Sequence, residues 1–338
     1  MARLSVAIRT ITGLLAVCCV MAFAAPAPSM AQVNPNAAAV KEQQLLDQLK
    51  MIQGRGSIPD TKSYVLEHPA GRDWRHFHTV TLKWIGGLSI LGMLAVLILF
   101  YLWRGRIPIE EGRSGRNVVR FTGFERFVHW LTATTFVILG VTGLNITFGR
   151  ALILPWLGPN AFSAWSEWAK YSHNYLSFAF TLGVVLMFLM WIGQNFPTAA
   201  DVEWLKRGGG MFTKKHGGHP PAWKFNAGQK LLYWFVVLGG VAMIVTGYML
   251  MFPFYGTTID TMQYAQMVHA VVAVLFVAAM LGHIYIGTIG MEGAFEAMGE
   301  GTVDVNWAKE HHPLWVDEAL AEQRDPKGPG LVTSTPAE

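Results

Sequence analysis

Cysteine is nearly absent: the 338-residue chain has two, Cys18 and Cys19, side by side near its start. A chain that loses this start has no thiol for a disulfide, a thiolate zinc site or an iron–sulfur cluster, so any metal must be held by other side chains. Charge is also scarce. Asp, Glu, Lys and Arg make up 14% of residues and 52% are hydrophobic, whereas soluble domains carry about a quarter charged residues. These proportions exclude an ordinary water-soluble fold. The net charge of +4 is too small and too dispersed for a nucleic-acid footprint.

What the chain has instead is apolar runs of the length that crosses a hydrocarbon layer of roughly 30 Å as helix. They fall at 81–103 and at about 128–147, 174–195, 231–252 and 266–289. The expected fold class is all-α, a polytopic membrane protein. It has a four-helix transmembrane domain at 127–290 and one additional transmembrane helix at 81–103. Residues 1–31 read as a cleavable signal peptide, with Arg3 and Arg9, an apolar core from Ile11 to Phe23, and small Ser29 and Ala31 before Gln32. Cys18 follows Val17, which does not suit lipoprotein processing. An uncleaved first span is the competing reading. Residues 32–80 then form a polar periplasmic extension, 104–126 a linker, and 291–338 a C-terminal tail.

Basic residues set the orientation. The linker 104–126 carries Arg104, Arg106, Arg113, Arg116, Arg120 and Arg126, and the connection 196–230 carries Lys206, Arg207, Lys214, Lys215, Lys224 and Lys230. Both are expected in the cytoplasm. The connection 148–173 has only Arg150 and Lys170, and 253–265 has neither Lys nor Arg, as periplasmic loops should. The mature N-terminus is therefore placed in the periplasm and the C-terminus in the cytoplasm, across a bacterial inner membrane. The extension 32–80 is basic but exported, which a signal sequence permits.

Four of the eleven histidines sit at or within the last four spans: His129, His173, His269 and His283. A polar ring in lipid costs free energy without a partner, which makes each a functional candidate. A structural hydrogen bond is the competing reading for any single one. In the expected orientation His129 and His283 share the cytoplasmic depth, and His173 and His269 the periplasmic depth. Fourteen residues separate His269 from His283, a helical rise of about 21 Å with a return to within roughly 40° of the same face. That leaves room for two stacked macrocycles, and bis-imidazole iron suits electron transfer. The residues point to two b-type haems. Segments 128–147, 173–195, 231–252 and 266–289 hold no Asp, Glu, Lys or Arg, which excludes a di-iron carboxylate site and disfavours a proton pump. No C-x-x-C-H signature is present, so the haems would be non-covalent. Gly140, Gly143, Gly183, Gly239, Gly240, Gly247, Gly282 and Gly287 admit either a porphyrin or a neighbouring helix. Trp130, Trp191, Trp223 and Trp234 need no more than an interfacial aromatic belt.

Five segments carry a resemblance: F-E-R-F-V-H-W at 124–130, K-F-N-A-G-Q-K at 224–230, V-H-A-V-V-A-V at 268–274, G-H-I-Y-I-G at 282–287 and W-A-K-E-H-H-P-L-W at 307–315. In this order and spacing, over roughly residues 118–316, the chain resembles the cytochrome b (gamma) subunit of respiratory formate dehydrogenase. The resemblance implies a four-helix bundle with two haems b, anchoring an iron–sulfur (beta) subunit and a molybdenum or tungsten catalytic (alpha) subunit. By position, it implies that His173 and His269 hold the periplasmic-side haem and His129 and His283 the cytoplasmic-side haem. It also implies a quinone pocket at Asn226, Gly228 and Gln229, where Asn226 and Gln229 contact a quinone carbonyl and Gly228 allows close approach. Read without the resemblance, the same Asn and Gln serve equally as a helix cap.

The expected function follows: electrons pass from a periplasmic iron–sulfur subunit through two haems to membrane quinone, while formate is oxidised in a partner subunit. The nearest alternative is the di-haem subunit of a nickel–iron hydrogenase or of a thiosulfate-type reductase. A second is a haem-free membrane anchor. The additional span 81–103 lacks an intramembrane histidine, so it is read as a partner or anchoring contact, with Lys83 snorkelling to the interface. The basic loop 206–221 lacks phosphate-loop spacing, and its His216 and His219 read as solvated.

Overall fold

A run of twenty apolar residues in lipid must satisfy its own backbone hydrogen bonds, which favours helix. The computed structural model describes residues 69–210, 220–253 and 255–324 and is helical almost throughout. Among the described residues five helices are long and apolar enough to cross a membrane: Gly71–Arg104, Gly123–Leu152, Leu154–Gln194, Ala227–Met251 and Ile259–Gly290. The leader 1–31, the extension up to residue 68, His216 and His219, and the tail from residue 325 lie outside the described residues.

The first helix is longer than the expected span. α1 (Pro69–His76) runs through a π-helical turn, Phe77–Thr81, into α2 (Leu82–Arg104). The boundary expected at residue 80 is therefore a helix interior, because Thr81 and Leu82 keep right-handed helical angles. After the linker, the short strand β1 (Asn117–Val119) precedes α3 (Gly123–Leu152). A capping box starts α3: Thr122 Oγ1 accepts from the Glu125 N–H and the Glu125 carboxylate accepts from the Thr122 N–H.

Only Ile153 separates α3 from α4 (Leu154–Trp191), so most of the stretch expected as a loop at 148–173 is helical. Hydropathy separates lipid from water, not helix from loop, and α4 starts well before its apolar part. Gly158 breaks its first turn with φ 72° and ψ 169°, angles that suit glycine, and Pro159 restarts it. Then come α5 (Ala199–Lys206), α6 (Ala227–Met251) and α7 (Ile259–Tyr285), which continues as a π-helical segment, Ile286–Gly290.

α3 packs on α4, α4 on α6, α6 on α7, and the additional helix α2 on α7. Several glycines serve these contacts. A Cβ on Gly183 would lie 3.2 Å from the Thr132 Cα, and one on Gly240 would lie 3.1 Å from Val184. Gly86 brings α2 against Val274 of α7 and Phe148 of α3, at 3.1 and 2.9 Å for an added Cβ.

The tail folds back on the linker. α8 (Ala294–Gly299), β2 (Thr302–Asp304), α9 (Val305–His311) and α10 (Pro313–Arg324) follow α7, and β2 pairs antiparallel with β1, Val118 facing Val303. This small sheet, with an isolated parallel bridge between Ile107 and Met291, departs from all-α structure. Val118, Phe121, Val303, Val305, Trp307, Trp315 and Val316 bury a shared core that continues into Val128, Trp191 and Phe225 of the bundle end. Buried carboxylates join the segments. Glu310 accepts the N–H groups of Glu110 and Glu111, and Asp304 accepts those of Ser114, Gly115 and Asn306. The result is a polar cap over the end of the bundle that bears His129 and His283.

Candidate functional site

The four membrane histidines form two facing pairs. His129 of α3 faces His283 of α7 with ring centres 6.2 Å apart, and His173 of α4 faces His269 of α7 at the same 6.2 Å. An iron bonded to two imidazole nitrogens at roughly 2 Å each, with about 1.2 Å more from nitrogen to ring centre, needs about 6.4 Å. Both pairs therefore have the spacing of a bis-imidazole metal clamp. Two facing imidazoles at each level are a donor set that fits a macrocyclic iron supplying its own equatorial ligands.

Between the levels lies an aromatic layer. Phe276 sits seven residues from both His269 and His283, about two helical turns or 10 Å of rise from each. It is 2% exposed and packs edge-on against Phe136 of α3 and Phe235 of α6, with Phe180 of α4 beside Phe136. Gly239 makes room for it: an added Cβ would lie 2.8 Å from the Phe276 ring. This apolar layer lies between the two pairs.

The pairs differ in what holds their outer nitrogens. Thr142 Oγ1 of α3 lies 2.8 Å from His173 Nδ1, and Thr246 Oγ1 of α6 lies 3.0 Å from His269 Nδ1. Beside each threonine, Gly143 and Gly247 let the ring approach, since added Cβ atoms would lie 3.4 and 3.2 Å from His173 Cε1 and His269 Cε1. The sequence reading named both glycines and missed both threonines. The available signal was a repeat, V-T-G at 141–143 and again at 245–247. His129 Nδ1, in contrast, is buried with no hydrogen-bond partner among the described residues.

At the capped end, the segment 224–230 is fixed by groups distant in sequence. Glu125 Oε1 accepts from Lys224 Nζ and from Trp191 Nε1, each at 2.9 Å. Arg120 Nη2 donates to the Lys224 carbonyl at 2.6 Å and to His312 Nε2 at 2.9 Å, while His312 Nδ1 donates to the Trp223 carbonyl at 2.6 Å. Arg120 and His312 are 3% and 1% exposed. Trp307 and Trp315 lie over the guanidinium, at 5.3 and 5.1 Å. Burial pushes the Arg120 guanidinium down to about 9 against a partial offset from Glu125. Burial, then the nearby guanidinium, holds the His312 imidazole well below 6.5. The tail residue His312, left without a role by sequence, thus fixes the backbone just before Asn226.

Asn226 and Gln229 form a reciprocal cap on α6. Asn226 Oδ1 accepts from the Gln229 N–H at 2.9 Å and Gln229 Oε1 accepts from the Asn226 N–H at 3.0 Å. The capping reading is thus realised, and it uses the side-chain oxygens, not the amide nitrogens. Close approach at Gly228 is made by Trp204 of α5, whose Cη2 would lie 3.0 Å from an added Cβ. Sequence reasoning missed Trp204, because nothing local links α5 to residue 228. Lys230 anchors α5 beside the same turn through Asp201 Oδ2, at 2.8 Å. The tryptophans read as a belt also do more: Trp130 donates to the Met298 carbonyl and Trp234 to that of Asn195, both at 2.9 Å.

Comparison with known proteins places these features in context. A family model described as prokaryotic cytochrome b561 matches residues 120–301. The chain is 25% identical over 220 residues to the nitrate-inducible formate dehydrogenase cytochrome b556(Fdn) subunit of Escherichia coli, covering 64% of this chain and 99% of that one. It is 28% identical over 204 residues to the formate dehydrogenase cytochrome b556(fdo) subunit of the same organism, covering 60% and 93%. It is 27% identical over 214 residues to the formate dehydrogenase cytochrome b556 subunit of Haemophilus influenzae, covering 62% and 87%.

Proposed function

The chain belongs to the prokaryotic cytochrome b561 family, and on that premise we propose that it is the membrane cytochrome b subunit of a formate dehydrogenase. The observation that carries this reading is the equal 6.2 Å spacing of two histidine pairs at two depths of one helical domain. The two imidazoles at each level would hold a haem b, which would supply one-electron carriage there.

His173 and His269 hold the periplasmic-side group, and His129 and His283 the cytoplasmic-side group. Phe136, Phe180, Phe235 and Phe276 keep water out of the space between. The Arg120–His312 contacts and the Glu125–Lys224 pair set the backbone that leads into α6. There Asn226 and Gln229 turn their amide nitrogens to a quinone carbonyl, and Trp204 and Gly228 form the flat apolar wall that a quinone ring needs. Electrons enter from a periplasmic iron–sulfur subunit, and quinone is reduced near the cytoplasmic face with protons from that side. Formate oxidation belongs to a molybdenum or tungsten catalytic partner. In this reading the protein spans a bacterial inner membrane, its mature N-terminus in the periplasm and its C-terminus in the cytoplasm.

Gentle detergent extraction tests the assignment. An iron–sulfur subunit and a molybdopterin-type catalytic subunit should copurify, and formate should reduce the b-type absorbance of the complex. A nickel-containing partner would overturn the donor assignment while leaving the histidine pairs intact.

A further inference from the structure

The two copies of V-T-G lie on different helices, α3 and α6, and each meets the membrane histidine of the next membrane-crossing helix, α4 and α7. A hydroxyl has one proton. In Thr142 it goes to the Ile138 carbonyl at 2.8 Å, and in Thr246 to the Ala242 carbonyl at 2.6 Å. What each oxygen offers the imidazole is then a lone pair, and the Leu139 and Met243 backbone groups bond His173 and His269 as further partners, an arrangement that suits an N–H on Nδ1. A neutral ring with its proton on Nδ1 leaves the Nε2 lone pair for a ligand, and the two rings so held face each other with centres 6.2 Å apart. No threonine contact to either ring at the other level is seen among the described residues, where His129 Nδ1 is buried without a partner.

An acceptor on the outer N–H makes an imidazole a more basic ligand, which favours the oxidised iron and lowers its reduction potential. We propose that Thr142 and Thr246 are positioning residues that fix the tautomer of His173 and His269 and set the haem held there below the other in potential. The difference points electrons from the threonine-supported level toward the capped level. The inference rests on the reading of the histidines as haem ligands, and it adds a direction to that reading.

Potentiometric titration of the b-type absorbance in the detergent-extracted complex tests it. The component held by His173 and His269 is assigned by its loss in His173→Ala and should be the lower in potential; loss of the higher component would overturn the proposal. Thr142→Val and Thr246→Val should each move that component upward. The reduced-to-oxidised ratio at fixed potential should rise about three- to tenfold, tenfold being 59 mV for a one-electron couple. Thr142→Ser and Thr246→Ser keep the hydroxyl and should titrate as the wild type. Loss of this haem from the Val variants with retention in the Ser variants also supports the proposal, because the hydroxyl is then needed to seat the ring. Unchanged potentials in the Val variants, a shift confined to the other component, or Ser variants that behave as the Val variants would overturn it. A wild-type complex with no b-type signal would overturn the ligand reading beneath it, and this proposal with it.

Discussion

The two ends of the membrane domain organise their histidines by different means. At the uncapped end, His173 and His269 are held by threonines on adjacent helices, within segments that carry no charge. At the other end, His129 and His283 lie beneath a cap built from the linker and the tail, whose buried Arg120, Asp304, Glu310 and His312 tie together residues up to 200 positions apart. The first level depends on helix-to-helix register and the second on tertiary structure outside the membrane. Substitutions at the two ends should therefore fail differently.

The largest effect is expected from the ligands themselves. His129→Ala or His283→Ala should halve the haem content and remove quinone reduction, and His173→Ala or His269→Ala should remove the other haem, as read by pyridine haemochrome assay and difference spectra. Loss of the same haem from His129→Ala and His269→Ala would show that the facing pairs are not the ligand pairs. The cap comes next. His312→Ala leaves the buried Arg120 guanidinium without one acceptor and frees the Trp223 carbonyl, a cost of about 2–3 kcal/mol. Proteolysis of the linker should accelerate and quinone kinetics should slow, with both haems retained. An equal loss of the uncapped-end haem would erase the distinction between the two ends.

A smaller effect separates capping from binding at Asn226. Asn226→Ala removes an N-cap worth about 1 kcal/mol and should impair quinone reduction. Asn226→Ser keeps a capping oxygen and lacks the amide nitrogen, so it should impair quinone reduction as well. Full activity in the Ser variant would reduce Asn226 to a cap.

The smallest effect is a pH dependence confined to the cap. His312 stays neutral when folded because burial, then the Arg120 guanidinium, lowers its affinity for a proton. As pH falls below 6.5 the unfolded chain takes up a proton that the folded cap does not, so stability declines with acid. Hydrogen exchange of residues 302–316, corrected for its intrinsic rate, should be less protected at pH 5.5 than at pH 7. His312→Gln should flatten the difference.

Much of the bundle is legible in the sequence because lipid imposes a local rule, about twenty apolar residues per crossing. The four histidines stand out for the same reason, as polar groups in segments that otherwise carry no charge. The threonines do not stand out, since a membrane threonine bonded to its own i−4 carbonyl is ordinary, and only the facing helix reveals what the remaining lone pair does. The polar start of α4 is invisible to hydropathy. The cap is invisible because its sheet pairs Val118 with Val303, its ions reach from Arg113 to Glu296, and the Trp204–Gly228 contact joins separate elements. Gly301 shows how little local sequence reveals: with φ 91°, and with an added Cβ only 2.7 Å from the Phe121 carbonyl, it permits the hydrogen bonds that dock the linker on the tail.

The central claim is that each facing pair clamps one iron porphyrin. Haem stoichiometry of the purified complex, taken with its reduced-minus-oxidised spectrum, tests this most directly. The account predicts two low-spin b-type haems per copy of this chain, falling to one in every single His→Ala variant of the four. A colourless subunit from cells supplied with haem, or one haem per chain that survives substitution at either level, would contradict it.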